Sequence, residues 1–215
     1  NSLAMTARSD DRVVRIGGGQ GYYGDGHAGV LPVLESGVDY LVCEALAELT
    51  LAILAKDRLR DESLGYTRDL PLYVATALPW LVDGRTRFIS NAGGINPVAA
   101  GRAVLDGLRA AGADGLKVAT VVGDDLRPHR EVLALPEDAL FASVYLGARP
   151  IVEALDAGAD IVITGRVADA SLFLAPLVHD RMVHMAARFD LLVQVADRQR
   201  GADAVQPRRE GAHAL

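Results

Sequence analysis

The chain has 215 residues, of which 50% are hydrophobic, 23% charged and 5% aromatic. That composition suits one α/β domain with a substantial core and leaves no room for two full domains. Lysine and arginine number 22 against 28 aspartates and glutamates, a net charge of −6, so nucleic acid and anionic membranes find no sequence-wide basic footprint. A single cysteine, Cys43, excludes an intrachain disulfide or a cysteine-based zinc site, and no run approaches the ~18–20 apolar residues of a membrane span.

Asn1 to Ala4, ahead of Met5, read as a vector remnant, and residues 1–11 as a flexible start without a signal peptide. The expected compartment is the cytoplasm. From there short β-branched runs alternate with longer amphipathic ones, the pattern of parallel βαβ construction. Strands are predicted at Val13–Ile16, Tyr40–Cys43, Arg87–Ser90, Leu116–Val122 and Asp160–Thr164, and helices at Ala28–Ser36, Ala45–Arg60, Leu70–Leu81, Pro97–Ala111 and Gly147–Ala157. The fourth helix has the clearest boundaries: Asn96 as N-cap, Pro97 at the first helical position, Gly112 as stop, and Val98, Gly101, Leu105 and Leu108 on one face. The fold class is α/β, a mainly parallel sheet with helices on both faces, Rossmann-like in its layers but without a dinucleotide fingerprint. Past Asp180 the periodicity degrades, and Gln199–Leu215 is polar and arginine-rich, so residues 180–215 read as a divergent, partly flexible tail.

Glycines and polar residues gather where the predicted strands end. Strand one runs into Gly17-Gly18-Gly19-Gln20-Gly21-Tyr22-Tyr23-Gly24-Asp25, strand three into Asn91-Ala92-Gly93-Gly94-Ile95-Asn96-Pro97, strand four into Gly123-Asp124-Asp125 and strand five into Gly165-Arg166-Val167-Ala168-Asp169. In an open parallel sheet, ligands bind outside the carboxyl ends of the strands, and glycine there lets backbone N–H groups approach an anion. Candidate ligand-binding residues are therefore Gly17, Gly18, Gly19, Gln20, Gly21, Asp25, Asn91, Gly93, Gly94, Asn96 and Gly165; a tight βα connection is the plainer reading of Gly17–Gly24. Tyr22 stands where the third glycine of a dinucleotide fingerprint belongs, and no Gly-Lys-Ser/Thr follows, so neither NAD nor ATP has a signature.

The candidate catalytic residues are Asp125, Asp169 and Arg166. Asp124-Asp125 would hold a hard cation or act as a base, or else cap the next segment. Arg166 with Asp169 reads as an anion clamp beside an acid or base, or as an ion pair at a helix start. Glu44 and Glu48 suit a helix start, and Cys43 reads as an inert core thiol. His27, His129, His179, His184 and His213 have no metal-ligand spacing, and no metal is expected.

The segments Val14-Arg15-Ile16-Gly17-Gly18-Gly19-Gln20-Gly21-Tyr22-Tyr23-Gly24-Asp25, Leu46-Ala47-Glu48-Leu49-Thr50, 91–97 and 159–169 resemble the acyclic terpene utilisation (AtuA) family. The resemblance covers about residues 12–179, through Ala175-Pro176-Leu177-Val178-His179. It implies a bacterial cytoplasmic protein of branched-chain or acyclic isoprenoid catabolism, with an acyl-CoA or small branched carboxylate as ligand. A lyase or hydratase acting on an acyl thioester is the expected enzyme, with Gly17–Gly21 and Gly93-Gly94 stabilising developing charge while Asp125 or Asp169 moves a proton. Family members continue past the position of His179 with a tryptophan- and glycine-containing second half, from which residues 180–215 diverge. A non-catalytic ligand-binding or scaffold subunit is therefore the alternative, and a homo-oligomer or part of a larger assembly the expected state.

Overall fold

In a computed structural model, described here for residues 13–180, five strands form a single all-parallel sheet in the order β1-β2-β3-β5-β4. They are β1 (Ile16–Gln20), β2 (Tyr40–Cys43), β3 (Arg87–Ser90), β4 (Val118–Val121) and β5 (Ile161–Thr164). The helices are α1 (Val30–Glu35), α2 (Glu48–Arg60), α3 (Leu70–Val82), α4 (Pro97–Ala110), α5 (Arg149–Asp156) and α6 (residues 169–180). The expected flexible start and divergent tail lie outside the described residues.

Side-chain alternation along the strands builds two cores. Leu41, Cys43, Phe88, Ile161 and Ile163 point to the face covered by α1, α3 and α4, against Leu34, Tyr73, Leu81 and Val104. Tyr40, Val42, Ile89 and Val162 point to the other face, against Ile151 and Leu155 of α5 and Leu172 of α6. Both faces are covered, which is why these strands read as continuous apolar runs. Each fully buried large side chain contributes about 1.5–3 kcal/mol of transfer free energy.

Two elements depart from the sequence reading. β1 begins at Ile16 rather than Val13 and takes in Gly17, Gly18, Gly19 and Gln20; Gly17, Gly18 and Gln20 pair with β2 and Gly19 sits at a register shift between them, instead of forming a loop beyond the strand. The cause is packing: a Cβ on Gly17 would lie 2.9 Å from Val38 Cγ1 and tighter still against Val33 of α1, and one on Gly19 would lie 2.7 Å from Leu41 Cδ1. Glycine lets the helix close on this edge strand despite its poor strand propensity. Helix α6 is the second departure; Pro176 interrupts its pattern, yet Leu172 and Ala175 are fully buried in the second core. Smaller shifts follow at helix starts, where 27–29 is a 3-10 turn ahead of α1 and α2 begins at Glu48.

Candidate functional site

Because every strand runs the same way, all five carboxyl ends share one rim. Helices α1, α3 and α4, which follow β1, β2 and β3, cover one face, whereas α5 and α6, after β4 and β5, cover the other; α2 packs in a separate small cluster with Leu46, Ile95 and Phe141. The chain therefore leaves the neighbouring strands β3 and β5 toward opposite faces, and the two exits pack so closely that a Cβ on Gly93 has no room beside the Thr164 carbonyl.

At the β1 edge the glycine donors are already occupied. Gly21 N–H donates to Asp25 Oδ2 at 3.1 Å, Gly24 N–H to Asp69 Oδ2 at 3.3 Å, and Gln20 Nε2 to Asp69 Oδ2 at 3.2 Å. Tyr73 Oη donates to the Asp25 carbonyl at 2.6 Å. Two carboxylates thus sit where the sequence reading placed a ligand anion. Burial, then Asp69 and Asp25, push the Tyr73 hydroxyl up to about 12 and raise the buried Cys43 thiol as well. An added anion would meet the same repulsion.

The β3 exit is held by internal bonds. Asn91 is fully buried, with Oδ1 accepting from Ala45 N–H at 2.7 Å and Nδ2 without a partner among the described residues. A Cβ on Gly93 would stand 2.5 Å from the Thr164 carbonyl oxygen. Gly94 has φ +56, where a side chain is strained, and its Cβ would also meet the Gly65 carbonyl oxygen at 2.7 Å. Asn96 caps α4 by accepting from Ala99 N–H at 3.3 Å, and its Nδ2 donates to the carbonyls of Glu62 and Leu64.

Arg166 is the centre of the β5 exit. It is only 3% exposed; Nη1 donates to the Leu46 carbonyl at 3.2 Å and lies 3.5 Å from Asp169 Oδ1, and Nη2 lies 3.4 Å from Glu48 Oε1. Nη2 also bonds the Tyr145 hydroxyl, which donates to Glu48 Oε1 at 2.6 Å, and the Tyr145 ring stacks on the guanidinium at 4.0 Å. Nε has no protein partner among the described residues. Burial and Asp169 raise the Glu44 carboxyl against the opposing pull of Arg166, whereas the Tyr145 bond lowers exposed Glu48.

The adjacent aspartates of the β4 exit have opposite environments. Asp124 is buried and accepts the Arg166 main-chain N–H at 2.7 Å, while a Cβ on Gly165 would fall 2.6 Å from both its carboxylate oxygens. Burial raises its pKa despite that bond. Asp125 is also pushed up by burial, but Arg127 overrides this through Nε at 2.9 Å and Nη2 at 2.7 Å and holds it below the usual range.

Asp124 and Asp125 line an inner cavity of about 200 Å³ together with Asn96, Gly123 and Ser143. Beside it, between α2, α4 and the 127–140 segment, is an outer cleft of about 660 Å³. Arg58, Ile95, Asn96, Val98 and Arg127 line both.

The family model for "Acyclic terpene utilisation family protein AtuA" matches residues 14–182. The chain belongs to the AtuA family. No curated protein and no solved structure matched it.

In this AtuA chain the candidates separate into groups. Gly17, Gly18, Gly19 and Gln20 are strand residues, Gly21 and Asp25 close the β1 edge, and Asn91, Gly93, Gly94 and Asn96 shape the β3 exit. Gly165, Arg166 and Asp169 stand together at the β5 exit, and Asp125 lies apart from them, bound to Arg127. The rim supplies a buried carboxyl in Asp124, whose pKa burial raises and which accepts the Arg166 main-chain N–H, and a buried guanidinium in Arg166 turned toward Leu46, Tyr145, Glu48 and Asp169. Sequence reasoning names Asp124 but favours its neighbour Asp125, because only the fold shows that burial raises the pKa of Asp124 while Arg127 lowers that of Asp125. It misses Arg58, Arg102, Arg127 and Tyr145, whose relevance depends on elements far apart in the chain. Among the described residues no group of three His, Cys, Asp or Glu side chains is arranged to hold a metal ion, and no helix is long and apolar enough to cross a membrane.

Proposed function

We propose that this AtuA chain acts in acyclic isoprenoid catabolism as a lyase or hydratase on a branched acyl-CoA, with the reacting carbons beside Asp124. The observation that carries this reading is a buried carboxylate with a raised pKa on the wall of a rim cavity. Adding water across a double bond conjugated to a thioester places the hydroxyl on one carbon and a proton on the carbon next to the carbonyl; elimination reverses both. Burial raises the Asp124 pKa, the direction that suits a carboxyl giving and taking that proton. The Arg127 guanidinium, which lines the same cavity, favours the negative charge that develops on the thioester oxygen. The setting proposed is the cytoplasm, with the chain as a homo-oligomer or a subunit of a larger assembly.

One observation favours the alternative of a ligand-binding or scaffold subunit: Asp125 and Arg166 are both engaged by internal partners. Incubation with 3-methylbut-2-enoyl-CoA, followed by loss of the enoyl-thioester absorbance, separates the two. Turnover that falls about a hundredfold or more in Asp124→Asn, with binding retained, supports acid–base chemistry. Equal turnover in Asp124→Asn refutes it, and thermal stabilisation by the thioester without turnover supports the binding subunit.

A further inference from the structure

We propose that the outer cleft between α2 and α4 is a phosphate site, which takes the anionic handle of the ligand through Arg58, Arg102 and Arg127. This deepens the acyl-CoA reading and rests on it only for the identity of the handle. The chain as a whole is acidic, at −6, yet three guanidinium groups from three separate elements line this one cleft. The Arg102 guanidinium, on the exposed surface of α4, has no hydrogen-bond or ion-pair partner among the described residues. Arg58 is half-buried and uses Nη1 to hold the Ile95 carbonyl at 2.8 Å; its other N–H groups have no partner among the described residues. Arg127 carries its charge into both cavities but is matched by Asp125. Of the two carboxylates on the cleft wall, Asp106 is already paired with Arg109 at 3.0 Å, which leaves only Glu62 in opposition.

Size assigns the ends of the ligand. The outer cleft, about 660 Å³, lies within the range for a drug-sized molecule, whereas the inner cavity, about 200 Å³, suits a small acyl group. A monocarboxylate is satisfied by a single arginine fork; two guanidinium groups with spare donors fit a pyrophosphate, which presents several charged oxygens. The β1 glycine loop cannot serve instead, since Asp25 and Asp69 hold its donors.

Calorimetric titration with inorganic pyrophosphate tests the site, with 3-methylbutanoate as the carboxylate probe. Pyrophosphate should bind the wild-type chain more tightly than 3-methylbutanoate does, and Arg102→Ala should weaken it about tenfold or more, the scale for losing a hydrogen bond to a charged group. Arg102 is exposed in a helix, so alanine there keeps the fold. Arg149→Ala, which removes an exposed charge paired with Glu153 outside the cleft, should leave affinity unchanged. Asp124→Asn should also keep pyrophosphate affinity, so the phosphate site and the proton-transfer reading fail separately. No pyrophosphate binding, equal binding by Arg102→Ala, an equal loss in Arg149→Ala, or tighter binding of 3-methylbutanoate than of pyrophosphate would each overturn the assignment.

Discussion

Replacing Arg166 by alanine should destabilise the fold by about 3 kcal/mol, and the geometry shows how that figure arises. The bond to the Leu46 carbonyl is buried and charge-assisted; its loss strands the carbonyl and costs about 1.5–2 kcal/mol. Stacking on Tyr145, together with the bond to its hydroxyl, contributes about 1 kcal/mol. Glu48 and Asp169 are 74% and 52% exposed in their side chains, so they return to water and their ion pairs contribute a few tenths of a kcal/mol each. Arg166→Lys keeps the charge but loses the planar fork and the stacking, and should recover about half of the loss. Urea unfolding of the three proteins, read as a shift in midpoint at constant slope, measures these values. A loss under ~1 kcal/mol in Arg166→Ala, combined with a tenfold or greater loss of acyl-CoA affinity, would refute the structural role and restore the anion clamp.

Three further outcomes follow from the same geometry. Gly94→Ala should cost several kcal/mol, because φ +56 and the approach of the Gly65 carbonyl both oppose a side chain, whereas Gly26→Ala, with an ordinary φ and nothing within 4 Å, should be neutral or stabilise by up to ~1 kcal/mol; comparative thermal unfolding checks both. Asp124 has a folded pKa above its unfolded value, so its protonated form favours the fold, and that contribution is present below about pH 4 and is lost as pH rises through the raised value. The melting temperature of Asp124→Asn relative to wild type should therefore increase between about pH 4 and 7, and a constant difference would contradict the shift. Cys43 should resist alkylation in the native protein and react only on unfolding, since burial and the nearby Asp69 and Asp25 all oppose its thiolate.

Local signals in the sequence were sufficient for the alternating architecture. Tyr40–Cys43 and Arg87–Ser90 are strands as read, and Asn96-Pro97 marks the start of α4 through a cap that works within three residues of itself. Parallel strands covered on both faces then follow from apolar runs separated by helix-length segments, and they place every strand exit on one rim. The extent of β1 was not legible, because strand propensity disfavours glycine and only the positions of Val33, Val38 and Leu41 show why glycine belongs there. The chemistry of the rim was still less so. Gly21 and Gly24 look like free anion donors until Asp25 and the distant Asp69 are found occupying them, and Arg166 looks like a clamp until Leu46, 120 residues earlier, takes one of its donors. Periodicity and capping act over one or two turns and are written in neighbouring residues. Whether a donor is satisfied, a carboxylate is desolvated or arginines share a cleft depends on partners that only the folded chain brings within a few ångströms.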